Sequence, residues 1–358
     1  MHNKMLKELL GVNHRIIQAP MAGGITTPEL AAQVSENGGL GMIAGGGLPP
    51  EKVKEAIRRT RKLTGKTFGV NLFVPMTFEV TETQVQKAYE RLRPVHDEFG
   101  LKQADITPPR YEEAVHKFND QIGTVIEAGV PVCSFIFGVP ADVQMERLKE
   151  AGIITIATAT TAEEAVAIES AGIDIVVVQG FEAGGHRGAF LKGSEDSQVG
   201  LMSLLSETVS RVNIPIVAAG GIMHGRNIAA ALVLGAAGVQ MGTAFLSVEE
   251  SGAHNLHKNV LTESLNVPAV LTKLFTGRQA RAVKNKFISE FKAFEEEMVA
   301  YPVQRSLTQA FQDASKAAGR IDYAMLLAGQ GKYFARDLSA RQLIEALAAE
   351  TSEMGYEI

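Results

Sequence analysis

Short apolar runs punctuate the chain, and most end in glycine or proline: RIIQAPMAGG, GLGMIAGGG, FGVNLFVP, VPVCSFIFGVP, GIITIATAT, IDIVVVQG, IPIVAAGG and GVQMGTAF. In each, apolar residues run on without alternation, the pattern of a strand buried on both faces. Between them stand segments with helical periodicity, such as TPELAAQVSENGG, PEKVKEAIRRTRKL, ADVQMERLKEAG, TAEEAVAIESAG and RNIAAALVLGAAG. Several begin at Thr or Pro and stop at Gly, which are helix start and stop signals. Eight strand–helix repeats with right-handed crossovers predict an α/β fold, the parallel (β/α)8 or TIM barrel. A doubly wound open sheet is the rival, but it usually has about six strands and seldom places glycine at every strand end.

Two segments exceed the repeat. Residues 76–129 are long enough for two helices, one the regular crossover and the other an addition. After the eighth strand, residues 249–320 are more polar and predict a small helical substrate domain inserted over the barrel mouth. The expected division is therefore 1–248 for the barrel, 249–320 for the lid, and 321–358 for a C-terminal segment returning to the barrel. Its amphipathic stretch DLSARQLIEALAAE suits docking on the barrel exterior.

Composition narrows the partners. At 46% apolar the 358 residues support a large core. The net charge of -5 is interspersed, with no basic stripe, so nucleic acid is not an expected partner. No uninterrupted apolar stretch reaches ~18 residues and MHNKMLKELLG is no signal peptide, so no membrane partner is expected either. The single cysteine, Cys133, allows no internal disulfide and predicts a cytoplasmic setting; it reads as a small buried hydrophobe, not a nucleophile. The histidines show no metal-ligand spacing, and no metal is expected. Glycine, 35 of 358 residues, collects at Gly23, Gly24, Gly45, Gly46, Gly180, Gly220, Gly221 and Gly242. All of these fall at the C-terminal ends of strands, where barrels bind their ligands.

Chemistry is written at those ends. The seventh and eighth strands end in AAGGIMHGRN and QMGTAF, and loops at these places often bind phosphate through backbone N–H groups. Gly220, Gly221, Gly242 and Thr243 fit that role, with tight packing turns as the alternative. On the first strand, QAPMAGG puts Gln18 and the backbone of Ala19, Pro20, Met21 and Ala22 at the mouth, where a planar ring could be bonded and Met21 could pack on its face. Asn71, Gln179 and Gln240 are amides in buried strands, costly unless paired. They either bond barrel backbone or converge on a heterocycle such as a flavin. The stretch GFEAGGHRG, residues 180–188, sets His186 among glycines that let backbone approach a ligand closely. Its imidazole is a candidate general base, with Arg187 beside it to attract an anionic substrate and lower the imidazole pKa by like charge.

The motifs QAPMAGGITTPELAAQVSENGGLG, GFEAGGHRG, PIVAAGGI, VQMGTAF, YPVQ and AGQG occur in one order over nearly the whole chain. In this it resembles the class I nitronate monooxygenases, once called 2-nitropropane dioxygenases. The resemblance implies an FMN-containing barrel that oxidises alkyl nitronates, notably propionate 3-nitronate, with O2 to a carbonyl compound and nitrite or nitrate. It makes His186 catalytic and places FMN against Ala19, Pro20, Met21, Ala22, Asn71, Gln179, Gly180, Gly185, Gly220, Gly221, Gln240, Gly242 and Thr243. Gln330, in AGQG, would return the C-terminal segment to the mouth near substrate or flavin, Arg187 stays a substrate candidate from its place beside His186, and a homodimer is a candidate assembly. The chain departs from the pattern at MLLAGQG, where Leu327 stands in a place often held by Trp. Flavin-dependent enoyl-acyl-carrier-protein reductases carry a similar EAGGH but usually QGGMAW at the first strand; quinone reductases diverge from AGGHRG. Either alternative would need NAD(P)H.

Overall fold

Each apolar run becomes a short strand, and most stop within two residues of a glycine or proline. In a computed structural model describing residues 2–102, 108–193, 196–263 and 266–358, these are β1 (Ile16–Gln18), β2 (Gly41–Ala44), β3 (Phe68–Phe73), β4 (Val132–Ile136), β5 (Ile154–Ala159) and β6 (Ile175–Gln179). A two-residue strand β7 (Gly185–His186) follows, then β8 (Ile216–Ala219) and β9 (Gly238–Met241). All strands but β7 join one parallel sheet in the order β1-β9-β8-β6-β5-β4-β3-β2. The sheet closes between its edges: Ile17 bridges Leu40, with Leu40 N–H on Ile16 O at 2.9 Å and Gln18 N–H on Leu40 O at 3.0 Å. The result is the expected TIM barrel.

Crossover helices cover the outside, and their starts follow from side chains. Thr27 accepts the Leu30 N–H at 2.9 Å with Pro28 at the first helical position, so helix Pro28–Glu36 begins there. The N-terminal helix His2–Leu10 sends Leu6 and Leu10 into the interior cluster with Ile17, Met42, Val132, Ile175 and Val217. The C-terminal helix Ala340–Glu353 packs on the helices Gly225–Val233 and Pro28–Glu36, on the barrel exterior as expected.

The lid departs from the all-helical expectation. Strands β10 (Ala269–Thr272) and β11 (Ala280–Val283) form an antiparallel pair, and β11 also pairs with β7, Ala280 opposite His186 and Arg281 opposite Gly185. Strands of only four residues are too short to show a period-two pattern, which is why the sequence hides them. The additional helix foreseen in residues 76–129, Glu82–Glu98, belongs to the same unit. Its Ala88, Leu92 and Val95 share a core with Phe275, Phe287, Phe311 and Tyr323. Each ring so buried contributes about 1.5–3 kcal/mol. Two distant stretches of chain thus build one cap with its own apolar centre.

Candidate active site

A cavity of about 550 Å³ lies between strand ends and cap. Its barrel wall is formed by Ala19–Gly23, Asn71, Thr158, Gln179, Gly220–Met223, Gln240, Gly242 and Thr243. Its cap wall is formed by Thr276, Arg305, Gln309, Gln312, Lys316 and Met325–Leu327. His186 lies at the seam, since it sits in β7.

The seam histidine is tightly held. Its Nε2 is 2.9 Å from the Thr276 hydroxyl, and its backbone carbonyl accepts from Gln179 Nε2 at 3.0 Å. Gln179 Oε1 accepts the Gly188 N–H at 2.9 Å, so one strand-end amide clamps both sides of the loop. Phe137 and Tyr301 meet the imidazole edge-on, with centroids 6.0 and 5.9 Å away. Arg278 stacks 4.4 Å over the far face of Phe137 and donates to the Arg187 carbonyl at 2.9 Å. Burial, reinforced by the charges of Arg278 and Arg305, pushes the His186 pKa down to about 3. The imidazole is neutral at pH 7.

At the other end, Gly220 and Gly221 turn with φ of +118° and +69°. A Cβ on Gly220 would stand 3.1 Å from Ala183 N, so the turn needs glycine for both conformation and space. The Thr243 hydroxyl accepts the Gly329 N–H at 2.9 Å. Gly184 and Gly329 touch so closely that a Cβ on Gly184 would sit 2.5 Å from Gly329 N. The AGGH and AGQG motifs are therefore interlocked backbones.

The structure brings most of the sequence-predicted residues to this cavity, with four exceptions. Arg187 is fully buried, its Nη1 and Nη2 donating to the carbonyls of Gly180 and Ser197 at 2.7 Å each. It braces the loop and does not line the cavity; the charges acting on His186 are those of Arg278 and Arg305. Gly180 lies behind the wall as the acceptor of that bond. Gln330 has an exposed side chain, while its neighbours Gly329 and Gly331 line the cavity. Gln18 is buried, with its Oε1 taking the Met42 N–H at 3.0 Å and its Nε2 on Thr26 Oγ1 at 3.0 Å, an internal tie between β1 and β2. Sequence reasoning missed Phe137, Thr276, Arg278 and Arg305. Phe137 carries the one positive φ of a non-glycine residue among those described, 75°, and no residue type announces that. Tyr301 stood within the quoted YPVQ motif, unassigned.

A model of the nitronate monooxygenase family matches residues 3–350. The chain belongs to that family. Proteins named "Probable nitronate monooxygenase" from Staphylococcus haemolyticus and Staphylococcus saprophyticus are 41% and 42% identical to it, covering 99% and 97% of this chain and 98% and 97% of their own. A solved structure described as a nitroalkane oxidase from Streptomyces ansochromogenes superposes with a TM-score of 0.90 at 42% identity, over 97% of this chain and 98% of that one. FabK from Thermotoga maritima follows at TM-score 0.75 and 29% identity, over 98% and 96%. The chain is thus an oxidoreductase of the nitronate monooxygenase family. Among the described residues no cluster of His, Cys, Asp or Glu could hold a metal, and no helix is long and apolar enough to cross a membrane.

Proposed function

We propose that the protein oxidises alkyl nitronates with O2, propionate 3-nitronate among them, to a carbonyl compound and nitrite or nitrate, using FMN bound at the strand ends. The observation that carries this reading is a neutral, clamped imidazole facing one end of a cavity whose other end is a glycine cradle.

The residues present fit FMN. The Gly220–Gly221 turn, which a Cβ would fill, together with Gly242 and Thr243, suits a phosphate. Asn71 Nδ2 donates to Ser134 Oγ at 2.9 Å and leaves its amide oxygen uncommitted; Gln240 has no side-chain partner among the described residues. Both match the alternating donors and acceptors of an isoalloxazine edge, with Ala19, Pro20, Met21 and Ala22 along it and Gly185 at the seam. Bound there, FMN would supply the electron-accepting chemistry.

The chain's own residues supply position and proton handling. Thr276 has a single hydroxyl proton, and its donation to the Arg278 carbonyl at 3.2 Å makes Oγ1 an acceptor for His186 Nε2–H. Nδ1 is then the lone pair that takes the α-proton of a neutral nitroalkane. A nitronate arrives already deprotonated and asks no proton transfer of the imidazole, which then only flanks the reacting carbon. Anions bound in the cavity raise the imidazole pKa from its depressed value towards a useful one. Phe137 and Tyr301 keep water from the ring.

The test is oxygen uptake by the purified protein, yellow if flavin is bound, with propionate 3-nitronate and separately with NADH or NADPH. Fast uptake with the nitronate alone supports the reading. Bleaching of the flavin by a nicotinamide, with slow nitronate turnover, moves the chain to the reductase activity and overturns it.

A further inference from the structure

The helix Val303–Ala317 turns two faces to different tasks. Val303, Leu307 and Phe311 are buried in the cap core. Arg305, Gln309, Gln312, Asp313 and Lys316 recur at helical spacing on the opposite arc and all line the cavity. Arg305 is half-buried, and among the described residues no carboxylate lies within ion-pair distance of it or of Lys316. Asp313 stands ~12 Å further along the axis from Arg305, is exposed, and accepts from Gln309 Nε2 at 2.9 Å on both carboxylate oxygens. A third cation, Lys117, feels Arg305 closely: burial and then that guanidinium hold it below the ordinary lysine range. A partly desolvated guanidinium without a counter-ion is costly by itself and favours an anionic ligand.

Its location says which part of the ligand. Arg305, whose Nε reaches Gln309 Oε1 at 3.5 Å, lies near enough for its charge to act both on Tyr301, whose ring is 5.9 Å from the His186 ring, and on the imidazole itself. A Cβ on Gly47, just beyond β2, would stand 3.8 Å from Arg305 Nη1. The glycine cradle instead follows β8 and β9, so the two anion-favouring ends are separate. We infer that Arg305 is a specificity-determining residue that binds an anionic group on the tail of the substrate while the reacting carbon lies by His186. A carboxylate two carbons from that carbon extends the substrate by roughly 4 Å beyond the reacting atom. The inference rests on the function proposed above and adds the residue that reads the tail.

Two measurements separate the inference from the function. The first compares kcat/KM for propionate 3-nitronate with that for butyl-1-nitronate, whose tail is uncharged. Arg305→Gln is expected to lower this ratio about 10-fold or more, chiefly through KM, and Arg305→Lys to restore most of it. The second titrates the flavin-loaded protein calorimetrically with succinate, which mimics a nitronate with an acid tail, and with butyrate, which lacks the second charge. Arg305→Gln should abolish the preference for succinate. An unchanged ratio in either experiment, or equal losses on both members of a pair, overturns the inference. If wild type turns over neither nitronate, the proposed function fails, and the succinate–butyrate pair still decides what Arg305 does.

Discussion

On its barrel side the cavity is bounded by glycines, alanines and amides at strand ends; on its cap side it is bounded by Thr276, Arg305 and Lys316, with Tyr301 packed against His186. The first wall offers backbone groups whose positions are fixed by the parallel sheet, with strand-to-strand hydrogen bonding behind every one. The second offers side chains on a helix and on a short antiparallel sheet, backed by a separate aromatic core. Fixed backbone suits a ligand that never changes, and side chains suit one that must be selected. His186 belongs to both walls, because β7 extends the cap sheet while Gln179 of β6 clamps its carbonyl.

The largest expected effect strikes the shared residue. His186→Asn should lower kcat/KM for neutral nitroalkanes by roughly 10²–10⁴-fold at unchanged flavin content. Steady-state oxygen uptake with absorbance at 450 nm as the flavin count checks it, and wild-type rates would remove the base from the seam. Next comes the support beneath it. Arg187→Met removes the buried donor shared by the Gly180 and Ser197 carbonyls, the first of which keeps the Ala183 N–H at 3.1 Å, and should cost about 1–3 kcal/mol by urea unfolding. KM for anionic substrates should hold; a marked rise in KM would return Arg187 to the substrate.

Those two residues also show what a sequence can and cannot carry. Gly220 and Gly221 were legible because a positive φ beside a close backbone neighbour admits no other residue, so conformation and residue type coincide. The eight strands were legible because strands buried on both faces are continuously apolar. Arg187 misled because sequence adjacency to His186 says nothing about direction: Arg187 stands just past the end of β7 and points into the protein, onto the Gly180 and Ser197 carbonyls. Gln18 misled for a similar reason, its amide tying β1 to β2 instead of facing the mouth. Thr276 and Arg278 lie some ninety residues from His186 in a stretch with no periodic pattern, and only the β7–β11 pairing brings them to it.

Smaller effects sharpen the electrostatic half of the contrast. Arg278→Met removes a like charge near His186 and so raises its pKa from about 3. If His186 is the base and acts when neutral, the acid limb of kcat/KM for neutral nitroalkanes should move to higher pH; an unmoved limb would assign the depression to burial and Arg305. The smallest effect concerns stability. Burial pushes the His257 pKa from 6.5 down to about 4, so the unfolded chain binds a proton that the folded one refuses. Stability should therefore fall as pH drops from about 6.5 towards 4. In His257→Gln, melting temperatures over that range should fall less steeply than in wild type.

The three-stranded sheet that includes β7 has a consequence for protein engineering. Residues 185–186 are covalently part of a barrel loop but hydrogen-bonded as part of the cap, and Gly184 is locked against Gly329. Transplanting a relative's cap by cutting at the borders of residues 267–327 would leave its third strand behind on the recipient. A chimera that exchanges specificity must carry the 180–188 loop and the helix Glu82–Glu98 along with the obvious insert, a graft in three pieces. Libraries that recombine only the contiguous insert should yield mostly proteins whose 180–188 loop is unpaired.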